Sequence, residues 1–331
     1  LAVTQKDIAR EAGVGQGVVS DVLHARPGRR VSEETRLRIL QAAEQMGYRA
    51  NASAQALRTR RSGQVAFLTT CEEASRVLTE TRLSGVAAAL TEHGYRLAVE
   101  VAESPEAVPQ RLRELAAARA CDGCIIRTAS PELWDWTGIG SAGMPVVVLG
   151  RCDDPQITSV ALDTPSRMEQ SLATLRGRGH ERIGLLLAGR WGGAFQSTAE
   201  EAWKDAAPRF GIDPDRWRDV AGDRRSGDAA IRRWLSAAGP PPTAVVCLNE
   251  HAVLGASRAA MRAQRTIGDD FDIVAFAADE GSVWAFEPGT WYFDISREAR
   301  GRRAAEELLG LLDGRPAPGP VRLVPSLAQV Q

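Results

Sequence analysis

The turn Gly13-Val14-Gly15, set between two short stretches with apolar faces, constrains this chain more than any other feature. Ile8, Ala9 and Ala12 precede it at helical spacing and Val18, Val19 and Val22 follow it. Two short helices therefore fold back on each other across glycines that accept a tight turn. Thr4 and Asp7, three residues apart, can cap the first helix, which is expected to run to about Ala12, and residues 16–23 supply the second. A third helix is expected after Ser32, a good N-cap followed by Glu33 and Glu34 at the positive end of the dipole. Leu37, Leu40 and Ala43 are expected to face inward and Gly47 to end it. Two helices across a glycine turn, closed by a third, make a helix-turn-helix with a small core.

Charge separates this segment from the rest. Residues 1–61 carry eleven Lys and Arg against six Asp and Glu, a net of plus five; the remainder carries thirty against thirty-six, a net of minus six. The overall balance of −1 conceals a basic end that can neutralise phosphates and an acidic body that cannot.

After a basic linker at 58–63, apolar runs alternate with helical periodicity. The runs are 65–68, 96–101, 124–126 and 145–149, then 182–187, 244–248 and 272–276, with helical stretches between them. That βαβ order argues two doubly wound lobes with parallel sheets. No apolar run approaches the roughly 18 residues of a membrane span, and no signal peptide appears. Five unevenly spaced cysteines suggest a reducing cytoplasm rather than a disulfide scaffold.

The text Val3-Thr4, Asp7-Ile8-Ala9, Glu11-Ala12-Gly13-Val14, Val19-Ser20, Val22-Leu23, Val31-Ser32-Glu33-Glu34-Thr35-Arg36, Ala42-Ala43, Gly47-Tyr48 and Asn51 resembles the lactose-repressor (LacI/GalR) family of bacterial transcriptional regulators. The body resembles it less tightly, through Gly179-His180-Glu181-Arg182-Ile183-Gly184, Pro242-Thr243-Ala244-Val245, Leu254-Gly255-Ala256 and Gly301-Arg302-Arg303-Ala304-Ala305. The resemblance implies an N-terminal three-helix helix-turn-helix DNA-binding domain (1–49), a hinge helix and linker (50–63), and a two-lobed α/β domain like periplasmic binding proteins (64–331). Lobe 1 would hold about 64–161 plus 290–320 and lobe 2 about 162–289 plus 321–331, with crossings near Ala161, Gly289 and Val321.

It further implies that the second helix enters the major groove while a hinge helix at 51–57 lies in the minor groove, Leu57 wedging between base pairs at a dimer axis. The residues expected at DNA are Thr4, Gln5, Gly15, Gln16, Gly17, Val18, Ser20, Asp21, His24, Arg29, Arg30, Asn51, Ala54, Gln55 and Leu57. Some depart from the family. Gly15 stands where Ser or Thr is usual, Gly17 where a polar side chain is usual, Asp21 where Arg is usual, and Ala50 where Pro is usual. A glycine inside the recognition helix costs about 1 kcal/mol and offers no side chain to a base. A carboxylate at 21 repels phosphate but can accept from a cytosine amino group where Arg would select guanine.

Ligands in open parallel sheets sit outside the carboxyl ends of the strands. Sugar-sensing members usually place an Arg near Ala199, an aromatic near Arg224, an Asn-Asp pair at Asn249-Glu250 and an Asp at Ala277 or Ala278; only Asn249 matches. Trp134, Trp136, Trp191, Trp284, Trp291 and Phe293 read mainly as packing, with one or two lining a pocket. Arg127, Arg151, Trp191, Arg224, Asn249, Ala278 and Trp291 are the expected effector residues, and the loss of sugar contacts points to a flatter, less hydroxylated or anionic effector, or to a cleft filled by its own side chains.

Other motifs carry less. Cys121-Asp122-Gly123-Cys124 lacks a second pair and reads as buried packing, the four histidines form no dyad, and Gly189-Arg190-Trp191-Gly192-Gly193 lacks the spacing and lysine of a phosphate loop. No cofactor or metal is expected, and no terminal heptads suggest a tetramer. The expectation is a cytoplasmic, nucleoid-associated homodimer on a palindromic operator, controlled by a small effector. The alternatives are a regulator tuned by a protein partner or by abundance, and a cytosolic α/β enzyme, for which no nucleophile or cofactor fingerprint argues.

Overall fold

The computed structural model describes residues 3–23, 31–48, 61–71, 74, 81–127, 139, 143–152, 154–189, 193–276, 280–294 and 296–331. They belong to two compact units, Leu1–Ser62 and Gly63–Gln331.

In the first unit, α1 (Gln5–Glu11), α2 (Gln16–Leu23) and α3 (Glu33–Gln45) enclose one small core. The Asp7 carboxylate accepts from the Thr4 hydroxyl at 2.7 Å and from its backbone N–H at 3.0 Å, fixing the start of α1. Gly13 turns the chain at φ +64°, and Ser32 Oγ accepts from the Thr35 N–H to open α3. Ile8, Ala9, Ala12, Val19 and Val22 meet Ile39, Ala42 and Ala43. The expected inward face of α3 is thus corrected. Ala43 is buried, but Leu37 and Leu40 are 52% and 39% exposed. Both leucines lie off the 39/42/43 stripe, whose i, i+3, i+4 spacing faces α1 and α2.

In the second unit, β1 (Gln64–Thr70), α4 (Thr81–Glu92), β2 (Arg96–Ala102), α5 (Val108–Ala117), β3 (Gly123–Arg127), β4 (Val146–Leu149) and β5 (Thr158–Leu162) build one lobe. Then α6 (Thr164–Gly177), β6 (Ile183–Leu187), α7 (Gly193–Arg209), β7 (Arg218–Val220), α8 (Arg224–Leu235), β8 (Ala244–Cys247), α9 (Glu250–Arg262), β9 (Asp272–Ala275), α10 (Glu280–Val283) and β10 (Trp291–Phe293) build the other. The chain returns through α11 (Arg297–Leu312) and ends on β11 (Pro320–Leu323) and β12 (Leu327–Gln329). The sheet orders are β11-β5-β4-β3-β1-β2, all parallel, and β12-β10-β9-β8-β6-β7, parallel except for the β10 and β12 pair.

Strand alternation explains why both faces of each sheet are covered. Val65, Phe67, Ile125 and Val147 point to α4 and α11, whereas Ala66, Leu68, Ile126 and Val148 point to α5. In the other lobe Leu185, Val246 and Val274 meet α6 and α7, while Leu186, Val245 and Ile273 meet α8 and α9. Two helix pairs are pressed together through glycine: a Cβ at Gly85 would collide with the Glu298 carbonyl and one at Gly301 with the Arg82 carbonyl.

The strand pairings set the lobe crossings at 163, between β10 and α11, and at 324–326. The first falls beside the expected Ala161. The other two lie beyond Gly289 and Val321, because β10 pairs with β9 in the second sheet and β11 pairs with β5 in the first. Residues 290–293 therefore belong to the second lobe and 321–323 to the first. The crossings are laced together: Asp163 N–H donates to the Leu323 carbonyl at 2.8 Å and Asp294 N–H to that of Ser326 at 3.0 Å.

Candidate functional site

The first unit presents one face of α2 outward. Val19 and Val22 are committed to the core and Val18 packs partly against it, which leaves Gly15, Gln16 and Gly17 exposed and Ser20 and Asp21 half-exposed on the opposite side. Thr4 is exposed and Gln5 half-buried at the start of α1, and Lys6, Arg10, Arg36 and Arg38 are exposed on the same small unit. A solvent-facing second helix among cations is the arrangement that inserts into a major groove while the flanks hold phosphates. His24, Arg29, Arg30 and the hinge-helix residues Asn51, Ala54, Gln55 and Leu57 lie outside the described residues.

In the second unit two contacts between lobes show that the carboxyl edges of the sheets face each other. Arg151, just after β4, donates through Nη1 to Thr198 Oγ1 on α7 at 2.7 Å and stands 3.9 Å from Glu201 Oε2. Arg297, opening α11, reaches within 3.8 Å of Glu250 Oε2 at the start of α9, and that same oxygen accepts from the Ser282 hydroxyl at 2.6 Å. Arg127 is buried at the carboxyl end of β3, and Arg224 is exposed at the first position of α8. The cleft edge is therefore rich in guanidinium groups.

Asn249 has a different task from the expected one. Its Oδ1 accepts from the Ala252 N–H at 2.8 Å as the α9 cap, and its Nδ2 donates to the Ala221 carbonyl at 2.6 Å. Its side chain fastens β8 and α9 to the neighbouring loop. Trp291 is likewise corrected. It begins β10, two residues short of the carboxyl edge, and its ring lies under the Arg178 guanidinium at the far end of α6. It packs in the lobe interior because it shares a strand face with Phe293. Trp191 and Ala278 lie outside the described residues, as do Trp134 and Trp136; Trp284 is 93% exposed.

Sequence reasoning missed Arg167. It is fully buried on the first turn of α6, with its guanidinium 4.1 Å from the Phe276 ring centroid and 4.7 Å from that of Phe293. Its signal was available: Thr164, Arg167, Met168, Ser171, Leu172 and Leu175 form one inward stripe, and Arg167 is the only cation in it.

The cysteine pair is packing. Cys121 Sγ lies 3.7 Å from Met144 Sδ, and burial pushes the thiols of Cys121 and Cys124 above their ordinary range, which disfavours the thiolate that metals and redox partners require. Among the described residues no group of three His, Cys, Asp or Glu side chains could hold a metal, and no helix is long and apolar enough to cross a membrane.

Comparison with known proteins agrees with both units. Residues 4–51 match the family described as "Bacterial regulatory proteins, lacI family", and residues 172–329 match the "Periplasmic binding protein-like domain". The HTH-type transcriptional regulator CelR of Thermobifida fusca is 28% identical, covering 97% of this chain and 95% of CelR. The HTH-type transcriptional regulator reg1 of Streptomyces lividans is 27% identical over 94% and 91%. Among solved structures, the Lac repressor dimer bound to operator and the anti-inducer ONPF superposes with a TM-score of 0.80 at 24% identity, covering 99% of this chain and 98% of that one. A CelR–cellobiose complex superposes at 0.65 with 25% identity over the same shares. These relatives are transcriptional regulators rather than enzymes. With a lacI-type helix-turn-helix ahead of a two-sheet periplasmic-binding-protein-like body, the chain belongs to the lactose-repressor (LacI/GalR) family of DNA-binding transcriptional regulators.

Proposed function

We propose that this regulator is a homodimeric repressor of the bacterial cytoplasm that binds a palindromic operator and is controlled by a small effector between its lobes. The observation that carries the reading is the pair of side-chain bridges, Arg151 to Thr198 and Arg297 to Glu250, across facing sheet edges. An occupant of that cleft competes with or reinforces these bridges. It thereby changes the angle between lobes, and in a dimer that angle sets the spacing of two DNA-binding units. The neighbouring structures are of a dimer on operator and of a cellobiose complex, which supports assembly and cleft binding here by analogy.

The effector differs from a simple sugar. A sugar needs an array of donors and acceptors for its hydroxyls and a ring to stack on. Here Asn249 is spent on α9 and the Ala221 carbonyl, and the aromatic Trp291 packs away from the edge. Calorimetry with common mono- and disaccharides tests this: weak or absent binding is expected, and tight binding of glucose or cellobiose contradicts it.

A second reading, control by a protein partner or by abundance, draws on the same bridges, since they tie the lobes through the protein's own side chains. Melting the protein with pooled metabolites separates the two: a small-molecule regulator gains stability by mass action and a partner-controlled one does not.

A further inference from the structure

Arg167 presents a problem that packing alone does not solve. Its Nε, Nη1 and Nη2 are all buried and none has a hydrogen-bond partner among the described residues. Two phenylalanine faces and the more distant carboxylate of Asp163 return only part of the hydration that the guanidinium gives up. Burial pushes its pKa down to about 9, so it is still charged at neutral pH. A charged fork with all its donors idle is a ready donor site for an anion.

Its position says where the anion would come from. Phe276 directly follows β9 and Phe293 ends β10, so the guanidinium lies at the carboxyl edge of the second sheet, the edge that faces the other lobe. Two further idle polar atoms lie on the same facing edges. Gln196 Oε1 is on the first turn of α7, the helix packed beside α6, and Thr69 Oγ1 is near the end of β1 in the first lobe. Three buried, unsatisfied groups from three elements, one of them cationic, describe the complement of an anionic molecule that also carries hydroxyl or carbonyl oxygens.

We infer that Arg167 is the anchor of an anionic effector, a small carboxylate or phosphate ester, whose charged group seats between Phe276 and Phe293 and whose polar body meets Gln196 and Thr69. The inference rests on the cleft reading above and adds the ligand's chemical class and the residue that selects it. Closure of the lobes over the ligand then excludes water from the pair, where a bidentate contact is strongest.

The test uses the full chain without DNA, in calorimetry and thermal melting, with glucuronate and glucose 6-phosphate as the two anionic probes and glucose as the neutral one. Saturable binding of one anion, with a higher melting temperature, is expected, and none with glucose; the responding probe distinguishes carboxylate from phosphate. Arg167→Met should weaken that binding about tenfold or more while the unliganded variant melts no lower than the natural protein, since it removes an uncompensated buried cation. Arg167→Lys should retain part of the binding. The proposal is overturned if neither anion binds the natural protein, if glucose binds as well as the anions, or if Arg167→Met binds them undiminished. Operator binding measured alongside keeps the readings apart. Anion binding that leaves operator affinity unchanged removes effector control and keeps the site, whereas intact operator binding by a protein that binds neither anion removes the site alone.

Discussion

His180 Nε2 and Asp272 Oδ2 stand 2.9 Å apart in the second lobe, and the same carboxylate oxygen accepts from Arg178 Nε at 2.5 Å. The other imidazole nitrogen pairs with Thr243 Oγ1 at 2.9 Å, so this cluster ties the end of α6 to the starts of β8 and β9. Asp272 is fully buried; burial alone would raise its pKa, but the bonds from His180 and Arg178 bring it below the ordinary carboxylate value.

A folded carboxylate with a lowered pKa contributes stability above the unfolded value, about 3.9, and loses it as pH falls through its folded value. Thermal melting should therefore fall away on the acid side below about pH 4. His180→Ala should cost about 2–4 kcal/mol at neutral pH and flatten that acid limb. Urea titrations at neutral and acid pH check both; an unchanged acid limb in the variant would separate Asp272 from the effect.

Glycine close approach makes a second prediction. Gly301→Ala drives a methyl into the Arg82 backbone and should cost about 1–3 kcal/mol, with Gly85→Ala similar. Gly177→Ala, at the last position of α6 where a Cβ meets nothing within 4 Å, should instead stabilise by about 0.5–1 kcal/mol. Urea midpoints for the three variants decide it, and equal destabilisation of all three would refute the packing argument.

Asp21 sits half-exposed on the outward side of α2. If it reads cytosine, Asp21→Arg shifts the preferred half-site toward guanine at one position and, by placing a cation where a carboxylate repels phosphate, steepens the salt dependence of binding. Selection of operators from random duplex with both proteins tests this; identical preferences end the idea.

The bridges between lobes are partly exposed, so each is worth less than about 1 kcal/mol. Arg151→Ala and Glu250→Gln should each change operator affinity measurably, by about two- to fivefold, and in the same direction. Titrations showing no change in either variant would indicate that the bridges do not set the lobe angle.

Local patterns make most of this architecture legible in the sequence. The glycine turn at 13–15, the Ser32 cap and the alternating runs at 65–68 and 124–126 depend on neighbours in sequence, and the structure forms those elements there. What stayed hidden depended on partners distant in the chain. Leu37 and Leu40 form as good an apolar stripe as Ile39 and Ala42, and only packing against α1 chooses between them. The last two crossings lie later than expected because strand pairing, not hydrophobicity, assigns β10 and β11 to their sheets. Asn249 has the residue type of a ligand contact, yet its bonds to Ala221 and Ala252 are visible only in three dimensions. Arg167 is not legible in sequence because one cation in an apolar stripe has the pattern of a surface residue, and only the fold buries it.

The most direct test of the whole account is fluorescence anisotropy of the purified chain on labelled duplexes at low ionic strength, comparing the palindrome enriched by selection with random sequence of equal length. The account predicts binding to the palindrome at least a thousandfold tighter, to order of magnitude, with affinity falling steeply as salt rises. Equal affinity for both duplexes at every salt concentration would contradict it.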